Sequence, residues 1–182
     1  MKLGIALSGG GIRGIAHAGA LRAFEENEIK PDMLSGTSSG SIVATLYAMG
    51  YSPYYIYILF KRYAKTICEL NGVPIISGVG NFIVNKKINI NGINSGERME
   101  EAFNNIANKK GISKINEIKM PLLIPTVDIS KSKEVVISSI NNDNYLQDIE
   151  IGKAIYASSA FPVVFKPCKY KDYLFVDGGV LD

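Results

Sequence analysis

The 182-residue chain has one histidine, two cysteines and no tryptophan. Cys68 and Cys168 stand far apart and form no CxxC pattern, so we predict two free thiols and no metal site. Charge is also sparse, since 20% of the residues are charged and the formal net charge is +3. Lys and Arg form no stripe interleaved with aromatic residues, which argues against a nucleic-acid partner.

Uninterrupted apolar runs are short as well. Residues 41–60 are almost uncharged, but Gly50, Ser52 and Pro53 break the stretch, which favours two helices joined by a turn over a single membrane span. The first residues resemble a strand that runs into glycines rather than a secretory signal. We therefore expect a cytoplasmic protein, with peripheral contact to a membrane left open. The sequence does not specify an oligomeric state.

Strand-like and helix-like segments alternate along the chain. Strands are predicted over 2–8, 32–36 and 173–176, a β-hairpin over 127–137, a loop over 71–93, and helices over 13–28, 39–49, from Pro53, 94–107 and 150–158. With 47% apolar residues, the chain can bury one core. We predict a single α/β domain over 1–182. Its architecture would be a three-layer α/β/α sandwich with a mainly parallel central sheet and one antiparallel hairpin.

The segment 36–40 matches the pattern G-x-S-x-G between a predicted strand and a predicted helix. In such a turn the central serine, here Ser38, has a strained backbone and an exposed hydroxyl. Gly36 and Gly40 would let strand and helix approach closely, and the Ser39 N–H would point toward an attacked carbonyl oxygen. The pattern alone is not specific, because a Gly/Ser-rich turn can also simply cap a helix.

A second glycine-rich segment, residues 9–14, follows the first predicted strand. The backbone N–H groups of Gly9, Gly10 and Gly11 could form an oxyanion-binding nest, and Arg13 could brace this loop or meet a phosphate head group. Gly9, Gly11 and Gly14 also satisfy G-x-G-x-x-G, the fingerprint of dinucleotide-binding oxidoreductases. That alternative needs an acidic residue at the end of the second strand, whereas Asp32 is at its start.

A nucleophilic serine requires a base, and the histidine content restricts the choice. In a Ser-His-Asp triad on an α/β scaffold the histidine follows the serine in the chain, but His17 precedes Ser38. We predict a packing or local hydrogen-bonding role for His17. Asp177 is the best candidate for the base, because it ends an apolar strand and Gly178 and Gly179 would leave its carboxylate accessible. An ordinary Asp-Gly turn is the alternative.

These three motifs, in this order, resemble those of the patatin-like phospholipases, which are related to the catalytic domain of cytosolic phospholipase A2. Residues 157–162, Ala-Ser-Ser-Ala-Phe-Pro, resemble a fourth block of that family. The resemblance implies a Ser–Asp dyad of Ser38 and Asp177, an α/β/α fold, no metal or cofactor, and lipid acyl esters as substrates. Family members continue beyond the D-G-G motif, so we expect this chain to be truncated just after it.

The sequence thus predicts a lipid acyl hydrolase, whether phospholipase A, lysophospholipase or non-specific esterase, that forms an acyl-enzyme on Ser38. Two alternatives stay open, a dinucleotide-dependent oxidoreductase and a catalytically silent lipid-binding domain. The aromatic stretch 47–60 could line an acyl channel, contact a membrane or simply pack in the core.

Overall fold

The computed structural model describes residues 2–70, 96–162 and 164–180, with side chains omitted for 65–70. The loop predicted over 71–93 and the first residues of the helix predicted from 94 lie outside these ranges, as does the side chain of Cys68. The strands are β1 (Gly4–Leu7), β2 (Met33–Gly36), β3 (Leu122–Asp128), β4 (Lys133–Ser138), β5 (Cys168–Tyr170) and β6 (Tyr173–Asp177). The helices are α1 (Ala16–Glu26), α2 (Ser39–Ala48), α3 (Pro53–Leu70), α4 (Glu97–Asn108) and α5 (Ile151–Ser159).

The helices follow from the apolar spacing of the sequence. In α4 the buried residues Met99, Phe103 and Ala107 recur every four positions and form one face, and the left-handed Gly96 precedes the first turn. Helix α2 is different, because every residue from Ser39 to Leu46 is buried. A helix buried on all sides has no polar face, which explains the uncharged stretch that begins at residue 41.

The six strands form one open, mixed sheet with flanking helices. Strands β1, β2 and β3 pair in parallel, whereas β4 and β6 each pair antiparallel with β3, and β5 pairs antiparallel with β6. The strand path is β1-β2-β3-β6-β5, with β4 beside β3. The predicted α/β class is confirmed, and β1, β2 and β3 form the parallel part of the sheet. The sheet contains a second hairpin, β5–β6, that the sequence did not reveal, because β5 is only three residues long.

The register of β3 explains how the chain assembles its site. Strand β4 pairs with β3 from Leu123 to Asp128 and so occupies one edge of that strand. The other edge is shared, since β2 pairs with β3 at Leu122 and Leu123 while β6 pairs at residues 126–128. Strands β2 and β6 run in opposite directions, so the end of β2 meets the end of β6. The residues after Gly36 therefore lie beside Asp177.

Helices α2 and α5 pack against the sheet and against each other, and α4 packs on α5. Most of the buried apolar side chains of these elements belong to one cluster, which includes Leu34, Leu46, Ile124 and Phe175. Within the described ranges, no helix combines the length and apolar character needed to cross a bilayer.

Candidate active site

Ser38 lies on a strained turn between β2 and α2. Its backbone angles are φ 53° and ψ −125°, in the region that side-chain-bearing residues rarely adopt, and its side chain forms no capping hydrogen bond. The capping interpretation of this serine is therefore wrong. A Cβ at Gly36 would overlap the Gly40 backbone, and one at Gly40 would overlap the carbonyls of Leu7 and Ser8. The two glycines thus permit the close approach that the turn requires.

Three serine hydroxyls hold the backbone of this turn. The Ser38 N–H donates to Ser158 Oγ at 3.1 Å, and Ser158 Oγ donates in turn to the Pro125 carbonyl at 2.8 Å. The Ser38 carbonyl accepts from Ser41 Oγ at 2.6 Å and from Ser159 Oγ at 3.2 Å. Both peptide groups of the strained residue are therefore satisfied, and two of the partners come from the end of α5.

The first residue of the glycine run (residues 9–11) and the nearby Gly14 lie directly against the serine turn. A Cβ at Gly9 would stand 3.1 Å from Ser38 Cβ and 3.7 Å from its Oγ, and one at Gly14 would overlap the Ser39 side chain. Gly11 has φ +58°, which favours glycine. The run therefore packs on the serine turn, and the start of α2 at Ser39 directs its N-terminus to the same place.

Asp177 ends β6 and is only 3% exposed. Its Oδ1 accepts the Gly179 N–H at 2.9 Å, and its N–H donates to the Ala160 carbonyl at 3.2 Å. Burial raises the pKa of its carboxyl above the usual range, against the opposing effects of a hydrogen bond from the Ser38 hydroxyl and of the Gly179 N–H. The Ser38 hydroxyl therefore lies close enough to the Asp177 carboxyl to influence its pKa. Gly178 lies against the Pro125 carbonyl and the side chain of Thr37.

A second buried aspartate, Asp128, differs from Asp177 in its partners. Its Oδ1 accepts Ser130 N–H at 3.0 Å, Ser130 Oγ at 2.6 Å and Leu174 N–H at 3.2 Å, so it ties the β3–β4 hairpin to the β5–β6 hairpin. Burial raises the pKa of this carboxyl, but these hydrogen bonds and Lys131 lower it more, so the net shift is downward. The position and bonding of Asp128 indicate a structural role.

His17 and Arg13 lie on the segment that follows the glycine run. His17 Nε2 is 2.9 Å from the Ser8 carbonyl, which can only accept, so this nitrogen carries a proton and is not a base for Ser38. The predicted local hydrogen bond of His17 is confirmed. The Arg13 side chain is exposed, and among the described residues it forms no hydrogen bond or ion pair. A bracing role for its guanidinium thus has no support within those residues.

The aromatic stretch 47–60 divides between core and surface. Ile56 and Phe60 are buried, whereas Tyr54, Tyr55 and Tyr57 are exposed. Helix α2 carries the chain about 15 Å away from Ser38 before α3 begins. Within α3, Phe60 lies 3.5 Å from a Cβ built at Gly14. An acyl channel lined by the tyrosines of α3 is therefore not supported.

Sequence reasoning missed the roles of Ser158 and Ser159. The segment 157–162 resembles a family block, but the contacts of Ser158 and Ser159 with Ser38 span 120 and 121 residues and depend on how α5 packs. The dinucleotide alternative also fails in the structure. Two of the three glycines that it requires, Gly9 and Gly14, pack on the serine turn. Asp32 accepts the Leu3 N–H at 2.6 Å at the opposite end of β2. Among the described residues no group of His, Cys, Asp and Glu side chains could hold a metal ion.

An open α/β sheet whose second strand leads into a strained serine turn is typical of proteins with a nucleophile elbow. Comparison with protein families identifies one family within this class. The family described as "Patatin-like phospholipase" matches residues 5–182. The chain belongs to the patatin-like phospholipase family.

The chain is similar to the "Probable lipid hydrolase 463L" of Invertebrate iridescent virus 6, with 29% identity over 180 residues that cover 97% of this chain and 59% of that protein. It is 44% identical to "Lysophospholipase NTE1" of Saccharomyces cerevisiae over 68 residues, 37% of this chain and 4% of that one. The chain therefore spans well under two thirds of these relatives.

Two solved structures share the fold. VipD from Legionella pneumophila superposes with a TM-score of 0.57 at 17% identity, covering 100% of this chain and 46% of VipD. ExoU in complex with SpcU, from Pseudomonas aeruginosa, superposes with a TM-score of 0.54 at 22% identity, covering 88% of this chain and 36% of the matched chain.

Proposed function

We propose that this protein is a lipid acyl hydrolase that uses Ser38 as nucleophile and Asp177 as general base. The observation that carries the proposal is the proximity of the Ser38 hydroxyl, on its strained turn, to the buried Asp177 carboxyl. The family supports acyl esters of lipids as the substrate class, as do the relatives named as a probable lipid hydrolase and a lysophospholipase.

In the proposed reaction Asp177 accepts the hydroxyl proton as Ser38 Oγ attacks the ester carbonyl. The backbone N–H groups of Gly10, Gly11 and Ser39, with Gly9 shaping the loop, would stabilise the oxyanion, and each such donor contributes about 3–4 kcal/mol to the transition state. The alcohol or lysolipid takes the proton as it leaves the acyl-enzyme. Water, deprotonated by Asp177, then releases the fatty acid and restores the hydroxyl.

An ordinary aspartate is a weak base toward a serine, since its pKa is near 4. Burial of Asp177 raises its pKa and so brings its basicity closer to what the reaction needs. We further propose that Arg13, exposed beside the glycine run, contacts the phosphate of a phospholipid substrate.

Labelling with a fluorophosphonate tests the proposal directly, because this reagent forms a stable adduct with an activated serine. We expect one adduct per chain, mapped by peptide mass spectrometry to Ser38, together with fatty-acid release from phosphatidylcholine or lysophosphatidylcholine. An adduct on another serine would contradict the assignment. Lipid binding without an adduct or fatty-acid release would instead identify a catalytically silent lipid-binding domain.

We also propose that the protein contacts an anionic membrane surface through the edge that bears the site. Three exposed apolar side chains lie near the site: Ile12, Phe161 and Val180. Ile12 follows the glycine run, Val180 comes three residues after Asp177, and Phe161 follows Ala160, which bonds to Asp177. Because three residues span at most about 11 Å, Val180 lies within that distance of Asp177.

The charge on the β3–β4 and β5–β6 hairpins also suits anionic lipid. Exposed lysines at 131, 133, 169 and 171 outnumber the exposed carboxylates of Glu134 and Asp172 there.

Vesicle flotation in a Ser38→Ala background separates membrane contact from catalysis. We expect flotation with vesicles of phosphatidylglycerol and phosphatidylcholine in equal parts, and weaker flotation with phosphatidylcholine alone. Phe161→Asp should lower partitioning about 10-fold or more, because an inserted phenylalanine contributes about 1.5–3 kcal/mol. Tyr54→Asp on α3 is the matched control, since Tyr54 is 65% and Phe161 54% exposed. A larger loss from Tyr54→Asp would place membrane contact on α3 instead.

A further inference from the structure

The last turn of α5, residues 158–160, contacts both members of the Ser–Asp pair. Ser158 Oγ accepts the Ser38 N–H at 3.1 Å and Ser159 Oγ donates to the Ser38 carbonyl at 3.2 Å. One residue later, the Ala160 carbonyl accepts the Asp177 N–H at 3.2 Å. Three consecutive residues therefore bond to the backbone of the serine on one side and of the aspartate on the other.

Ser158 is the residue of this turn that links two other segments of the site. Its side chain is fully buried, and its hydroxyl bridges the Ser38 N–H and the Pro125 carbonyl. Pro125 precedes Thr126, which pairs with Asp177 in the sheet. The same hydroxyl thus links the serine turn to the strand that carries the aspartate, although the residues are far apart in sequence.

The Ser38 backbone requires such support, because φ 53° lies in a region that is unfavourable for serine. Without an acceptor for its N–H, the Ser38 peptide would relax and carry the hydroxyl away from Asp177. The carbonyl of Ser38 accepts from three groups, the N–H and Oγ of Ser41 and the Oγ of Ser159. Among the described residues, the one side chain bonded to its N–H is that of Ser158.

We propose that the last turn of α5 is a positioning element that holds Ser38 against Asp177, and that Ser158 is its principal residue. The inference rests on the proposed function for its catalytic consequence, but the contact itself can be measured without catalysis. Misplacement of a reacting group by about 1 Å can lower a rate about 100-fold. We therefore expect Ser158→Ala to lower kcat by about 10- to 100-fold with little change in KM for a soluble short-chain ester.

The pH profile of kcat/KM distinguishes a positioning role of Ser158 from a contribution to stability alone. The Ser38 hydroxyl and the Gly179 N–H hold down the pKa of Asp177 against burial, and no charged side chain of the described residues contributes to that pKa. When Ser38 moves away, the pKa of Asp177 rises further. The acid limb of kcat/KM should therefore move to higher pH in Ser158→Ala. In an Asp177→Asn background, Ser158→Ala should have almost no further effect on kcat.

Ser138→Ala is a matched control on the far side of β3. Ser138 is also fully buried, donates to the Leu122 carbonyl at 2.8 Å and accepts the Ile140 N–H at 3.0 Å. We expect Ser138→Ala to lower Tm about as much as Ser158→Ala does. Its kcat and the acid limb of its kcat/KM profile should equal those of the wild type. If both variants lower kcat equally and leave the limb in place, Ser158 contributes only stability and the proposal is wrong.

Two further measurements complete the test. One does not require the wild type to be active, and the other uses a milder substitution than alanine at position 158. Carbon-13 NMR of the Asp177 carboxyl reports its pKa directly, and we expect a higher value in Ser158→Ala than in the wild type even if the protein hydrolyses nothing. Ser158→Cys fills the same position with a slightly larger atom and keeps a weak hydrogen bond, so an intermediate value is expected. An unchanged Asp177 pKa in both variants would overturn the inference.

Discussion

Ser38→Ala should lower kcat/KM for lipid and soluble esters by about 10⁴- to 10⁶-fold, because no acyl-enzyme can form without the hydroxyl. The effect should appear in kcat, with the binding of substrate nearly unchanged. Hydrolysis of a chromogenic short-chain ester and release of labelled fatty acid from vesicles measure it over this range. Labelling by a fluorophosphonate should disappear in the same variant.

Ser35→Ala is the control for this change. Ser35 lies on the same strand three residues earlier and is half-buried, so its loss removes a hydroxyl from the same part of the sheet without touching the turn. Its activity should equal that of the wild type. Wild-type turnover by Ser38→Ala, or equal losses in the two variants, would contradict the role of Ser38.

Ser38→Gly extends the same prediction to stability. Glycine adopts φ 53° with little strain, so this variant should be as inactive as Ser38→Ala but more stable than it by about 1 kcal/mol. Urea unfolding of both variants measures the difference. A Ser38→Gly protein that is less stable than Ser38→Ala would show that the backbone of the turn is not strained as described.

The sequence predicts those parts of the site that depend on local chain geometry. The glycines at 36 and 40 are required by contacts close in the chain or across one strand pair, and they identify the turn at Ser38 without knowledge of the fold. A similar local argument identifies Asp177, which ends an apolar strand and is followed by two glycines. In both cases the relevant physics lies within a few residues of the motif.

Other parts of the site depend on long-range packing, which a single sequence does not specify. Strand β5 has three residues and too little pattern to predict. The end-to-end arrangement of β2 and β6 on one edge of β3 follows from the register of three separate pairings. The hydroxyl of Ser158 reaches Ser38 only because α5 packs beside α2. Two buried aspartates with opposite pKa shifts, Asp128 and Asp177, are likewise indistinguishable until their partners are known.

Asp177→Asn should lower kcat/KM by about 10²- to 10⁴-fold, the usual contribution of a general base. The amide preserves the shape and can still accept the Gly179 N–H, so the loss should reflect missing basicity. In the wild type, kcat/KM should fall as the pH falls through the pKa of Asp177, which burial places above the ordinary aspartate value of 3.8. That acid limb should vanish in Asp177→Asn, as pH profiles of the two proteins would show.

The same substitution should raise stability, and the sign follows from the pKa. Because the folded-state pKa of Asp177 is raised, the folded protein binds this proton more tightly than the unfolded chain does. Stability associated with this group therefore decreases as the pH rises from 3.8 through the folded-state pKa. Asn remains neutral throughout. Asp177→Asn should thus have a higher Tm than the wild type at neutral pH, and the difference should shrink in acid.

Asp128→Asn provides the matched comparison, because hydrogen bonds from Ser130 and Leu174 lower the pKa of Asp128 overall despite its burial. The ionised form stabilises the fold above the unfolded-state pKa, and that contribution is lost as the pH falls through the lowered value. Asn at 128 should therefore lower Tm at neutral pH, where Asn at 177 raises it. Equal losses of Tm would mean that Asp177 is a structural carboxylate, which is incompatible with a buried base held ready for proton transfer.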